Sequence, residues 1–159
     1  MTTHYSSEPL PTASENEKVW VQVSFLAIAI LFNLCLVAQL LSVGLAIFSD
    51  PSWWQVHVWL VRGYGGLAVV LLIGTFLTPF PKRIQTLTSA MVILLFVQFA
   101  TAHIQQPIPL GVLHPLTGFT LFTTSTTLVH RAMSFVKEGS DDARNDNNQT
   151  DNQALGESK

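Results

Sequence analysis

Three stretches without a charged residue divide the chain. Residues 19–49 are 31 positions with no Asp, Glu, Lys or Arg, residues 63–81 are 19 more, and residues 84–130 are 47. A hydrocarbon core about 30 Å thick is crossed by about 20 helical residues. The first stretch fits one span with interfacial ends. The third is too long for one and suits two, with Gln105-Gln106-Pro107-Ile108-Pro109 supplying the turn between them. Four helices are predicted, over about 20–48, 55–78, 84–103 and 109–133. The connections Ser49-Asp50-Pro51-Ser52 and Pro79-Phe80-Pro81-Lys82-Arg83 are short, which makes consecutive helices antiparallel neighbours. No alternating segments of the kind that build a barrel occur. The expected fold is all-α, an integral membrane up-down four-helix bundle.

Composition agrees. Hydrophobic residues make up 48% of the 159 positions and charged residues 11%, against about 25% charged in an average soluble domain. Eight Lys and Arg against ten Asp and Glu exclude a nucleic-acid binder, and the single cysteine, Cys35, excludes a disulfide scaffold. The charges are segregated. Residues 1–18 carry net −2 and residues 132–159 net −3, while Asp50, Arg62, Lys82, Arg83 and Arg131 between them sum to +3. Lys18, Lys82, Arg83, Arg131 and Lys137 all fall on one side of a four-span topology, so both termini are expected in the cytoplasm of a plasma-membrane protein. Trp20 marks the inner interface and Trp53 with Trp54 the outer one. Residues 1–18 and the acidic stretch 134–159 read as disordered cytoplasmic tails. The acidic start and the length of the first apolar run do not fit a cleaved signal peptide. No internal repeat stands out.

Polar side chains within a span are costly and raise a functional hypothesis. In this topology they gather in the outer half: Gln39 late in helix one, His57, Arg62 and Tyr64 early in helix two, Gln98 and His103 late in helix three, His114 and Thr117 early in helix four. Asn33 lies mid-span. Helical spacing separates them. His57 and Tyr64 share a face, as do His114, Thr117 and Gly118, whereas His57 and Arg62 stand about 140° apart, as do Gln98 and His103. Gln39, His57, Gln98 and His114 are therefore expected to point inward, with Thr117 completing a polar interhelical cluster and Arg62 and His103 nearer the headgroups. The run Thr123-Thr124-Ser125-Thr126-Thr127 can bond back to its own helix.

The series Gln39-x4-Gly44-x3-Phe48, Trp54-x-x-His57 before a glycine cluster, Pro81-Lys82-Arg83, Gln98, and Leu113-His114-Pro115-Leu116 resembles a family of small four-helix bacterial membrane proteins of unknown function. The resemblance covers about residues 20–133 and implies the fold, but no activity. This chain departs from the family at two histidines, and His103 is not expected of it at all. The family's second-helix histidine stands about four residues before its glycine, where this chain has Trp59, and His57 stands six before Gly63.

Two functional readings of different class follow. A structural or accessory subunit needs no chemistry, and it suits a bundle with no charged path across the bilayer. Its partners would be the lipid bilayer and another membrane protein or further copies of the chain. No nucleophile–base pair is visible, so an enzyme is not expected. The alternative is a haem b-binding electron-transfer protein, with His57 and His114 as axial ligands, His103 as a substitute and Arg62 facing a propionate.

Overall fold

The structure, a computed structural model, describes residues 13–77, 79–104 and 110–157, with side chains left out at 13–16 and 142–157. Among the described residues there are four α-helices and no strand: α1 (Ala13–Phe48), α2 (Trp53–Leu77), α3 (Lys82–His103) and α4 (His114–Glu157), the last entered through a 3-10 turn, Leu110–Leu113. The expected turn at 105–109 lies outside the described residues. Each helix packs on its two neighbours, α1 on α2, α2 on α3, α3 on α4 and α4 on α1, and among the described residues no diagonal pair of helices brings its backbones together. This is the up-down square that short connections dictate.

The core is built on one spacing, repeated four times. The central buried positions, apart from Ser42, Ala46 and Thr101 towards the outer end, are 25, 29, 32 and 36 in α1, then 64, 68, 71 and 75 in α2. They are 84, 88, 91 and 95 in α3 and 121, 125, 128 and 132 in α4. Alternating steps of four and three keep one narrow seam facing the centre, as in coiled coils. In antiparallel register the seams bring Phe32 and Met91 level with Ala68 and Ser125, and Ala29 and Thr88 level with Leu71 and Leu128. Large residues thus meet small ones in these two layers. Phe32 meets Tyr64 edge-on at 5.4 Å between ring centroids. At the other end Phe80, from the α2–α3 connection, stacks on Phe25 at 4.5 Å and on Phe135 at 5.7 Å, closing the bundle.

The outside is as apolar as the inside. Leu34, Ile73, Phe76, Phe96 and Phe119 are all exposed, far more apolar surface than a water-soluble monomer shows. Three helices are long and apolar enough to cross a membrane: Glu17–Phe48, Trp53–Leu77 and Lys82–His103. α4 falls short because of its threonines, yet it lies alongside α1 and α3. Its hydroxyls are turned back on the helix. Thr120, Thr123, Thr124, Thr126 and Thr127 each donate to the carbonyl four residues earlier at 2.8–2.9 Å, leaving their methyl groups outward.

Two stretches expected to be disordered are helical in part. α1 begins at Ala13, and α4 continues past 133 to Glu157. Phe135 is still packed on Phe80, and extending a helix that is already formed costs no nucleation. α2 begins two residues earlier than expected because Asp50 caps it. Its carboxylate accepts from the Ser52 N–H at 2.7 Å, and its carbonyl accepts from the Trp53 N–H. The Ser52 backbone and hydroxyl donors hold the Asp50 carboxyl below the usual carboxylate range.

Candidate functional site

The inward residues of the outer half form two separate clusters, one in each helical hairpin. In the first, the Gln39 amide of α1 donates to the backbone carbonyl of His57 in α2 at 3.0 Å. The Ser42 hydroxyl donates to the Gln39 carbonyl at 2.7 Å. His57 Nδ1 lies 3.3 Å from that same carbonyl and 3.2 Å from the Ser42 hydroxyl. A carbonyl can only accept, so Nδ1 carries the proton. Gln39 Oε1 is buried with no partner among the described residues.

The second cluster repeats this design. The Thr101 hydroxyl of α3 donates to the Gln98 carbonyl at 3.0 Å. His114 Nδ1, from the first turn of α4, lies 3.2 Å from that carbonyl and 3.3 Å from the Thr101 hydroxyl. The Gln98 amide donates to His114 Nε2 at 3.0 Å. Thr117 donates to Gln98 Oε1, so both ends of the amide are satisfied. Gly118 makes room for it, since a Cβ there would stand 3.2 Å from Gln98 Nε2. In both hairpins the Gln carbonyl meets a hydroxyl three residues on and the Nδ1 of a histidine from the returning helix; the Gln amide differs, bonding the His57 carbonyl in one and His114 Nε2 in the other. Ser42 and Thr101 are both buried.

Helical spacing in the sequence points to both glutamines, both histidines and Thr117, but not to the hydroxyls that make the pattern. The signal was available as Gln39-x-x-Ser42 and Gln98-x-x-Thr101. It is too short to stand out as a repeat without the histidines, which lie 18 and 16 residues after each glutamine. Asn33 is a further link, donating to the Thr126 hydroxyl of α4 at 3.0 Å.

The other two candidates lie outside these clusters. His103 is exposed, with Nδ1 donating to the Phe99 carbonyl of its own helix at 2.8 Å. Arg62 is exposed on the outer face of α2, its guanidinium 5.8 Å from the centre of the Trp59 ring, within reach of a cation–π contact. Among the described residues no three His, Cys, Asp or Glu side chains converge as a metal site. A lateral groove of about 490 Å³ runs between α1 and α2, lined by Cys35, Val56, Trp59, Leu60, Gly63, Tyr64 and Leu67. Its walls are apolar and none is a histidine.

The sequence model of a family of unknown function (DUF6220) matches residues 39–104. The matched region holds the whole of the first cluster, with Gln98 and Thr101 of the second, and ends before His114. No curated protein and no solved structure matches the chain.

Proposed function

We propose that the chain is a structural or accessory component of a larger membrane assembly, with four spans, both termini cytoplasmic, and no catalytic chemistry of its own. One observation carries this reading: the inward-facing polar side chains of the outer half are committed to joining helices. Gln39, Ser42 and His57 lock α1 to α2, and Gln98, Thr101, His114 and Thr117 lock α3 to α4. Bonds of this kind within a bilayer contribute about 0.6–2 kcal/mol each. They favour one arrangement of the hairpins and leave no ionisable path across the bundle. α4 completes the set of spans because its hydroxyls are already bonded and it packs at the same level as α1 and α3. Blue native electrophoresis of mildly solubilised native membranes tests the reading. The chain is expected in one discrete band well above its own mass; migration solely as a monomer or homodimer overturns it.

One observation favours the haem b reading. In both clusters a backbone carbonyl holds the Nδ1 proton, which leaves Nε2 as the basic nitrogen, the orientation that metal-ligating histidines need. Against it, His114 Nε2 already accepts from Gln98, and ligation would require that amide to swing away. The absorption spectrum of protein expressed with haem supplied separates the two readings. A flat visible spectrum is expected. A Soret band with sharp dithionite-reduced α and β bands, lost in His57→Ala and His114→Ala, would establish the haem site.

A further inference from the structure

The outer face of α2 carries a charge that this chain cannot neutralise within the membrane. Arg62 lies nine residues after Trp53. A rise of 1.5 Å per residue puts its backbone about 14 Å below the interface that Trp53 and Trp54 mark, close to mid-bilayer. This is deeper than the headgroup level expected from the sequence. The side chain points away from the bundle and leans back over Trp59, one turn nearer the interface, which still leaves an exposed charge within the hydrocarbon, costly unless it is paired. Between Glu17 and Glu138 the only acidic residue is Asp50, in the outer connection and bonded to Ser52. The surface beside Arg62 is notched. Trp59, Gly63 and Gly66 are exposed on the same face, and a Cβ added at either glycine would meet nothing within 4 Å. Trp59 and Gly63 also wall the lateral groove against Cys35.

Resting on the accessory-subunit reading, we propose that this face is the docking site for a transmembrane helix of a different protein, one that carries an Asp or Glu at the depth of Arg62. Charge complementarity selects this occupant. A second copy of the chain would bring another Arg62 and no intramembrane carboxylate, so self-association through this face sets like charges together. The glycines let a partner backbone approach closely, and Trp59 flanks the guanidinium so that its other side is free for the carboxylate.

The test uses the full-length chain in phosphatidylcholine vesicles, with a designed Leu/Ala helix carrying one Asp at mid-span as the probe. Energy transfer between labels reads association. The Asp helix is expected to associate about tenfold more tightly than the same helix with Leu there. Arg62→Gln abolishes the difference, and Arg62→Glu transfers the preference to a helix with Lys at that position. Equal association of the Asp and Leu helices overturns the proposal. So does Arg62-dependent retention of phosphatidylglycerol without a preference for the Asp helix, which would assign the charge to lipid phosphate. Photo-crosslinkers at positions 59 and 66, and at the exposed positions 34 and 96, separate the two levels of the claim in native membranes. A heterologous partner reached from 59 and 66, and lost when its own intramembrane carboxylate is neutralised, supports the site. A partner reached only from 34 or 96 keeps the accessory reading and overturns this face. Absence of any protein adduct from all four positions overturns both.

Discussion

Gly118 and Gly44 show how one residue type does two jobs. Both are helical. At Gly118 the missing side chain is filled by the Gln98 amide, with Nε2 3.2 Å from where a Cβ would stand, whereas around Gly44 that volume is empty. Gly118→Ala requires the amide to give by a few tenths of an ångström, which loosens its bonds to His114 and Thr117, and it is expected to lower stability by up to about 1 kcal/mol, the value of one interhelical bond. Gly44→Ala meets nothing and gains helix propensity, so it should be neutral or stabilising by up to about 1 kcal/mol. Denaturant titration of the two variants in the same bicelles compares them directly. Equal effects would mean that the Gln98 amide is not held where Gly118 allows it.

At the scale of the element, each hairpin is closed by the same clasp, yet the two clasps are not equally complete. The α3–α4 clasp satisfies both ends of the Gln98 amide, whereas the α1–α2 clasp leaves Gln39 Oε1 buried without a donor. Thr117 stands three residues after His114; the corresponding position after His57 is Leu60, which has no hydroxyl to offer. Removing a fully bonded group costs more than removing one that is half unsatisfied. Gln98→Met is expected to cost about 1–2 kcal/mol and Gln39→Met less than about 0.5 kcal/mol, measured by the same titration. The helices themselves were legible in the sequence, because the absence of charge over tens of residues leaves few alternatives in a bilayer. The division of the polar residues into two hairpin clasps was not. Charge-free runs give depth along a span but not azimuth around it, and Ser42 and Thr101 are too ordinary as residue types to be selected before a partner is seen.

For the whole molecule, the proposed topology implies a strict sidedness. Lys18, Lys82, Arg83, Arg131 and Lys137 lie at one end, and Asp50 lies at the other. In a Cys35→Ser background, a cysteine at position 50 should react with a membrane-impermeant maleimide in intact cells. One at position 137 should react only after permeabilisation; the opposite pattern would invert the topology. α4 is the least apolar member of the bundle, and its fitness for lipid depends on hydroxyls folded onto their own carbonyls and on a clasp to α3. The consequence falls on biogenesis. The translocon partitions segments by hydrophobicity as they leave the ribosome, when α4 has no neighbour to hold its polar groups. On the proposed four-span topology, the fourth helix enters the bilayer as the second arm of a pair, after α3 is in place to retain it. Fused alone to a glycosylation reporter, residues 110–133 should insert poorly, and restoring residues 82–109 ahead of them should rescue insertion, with Gln98→Leu weakening the rescue.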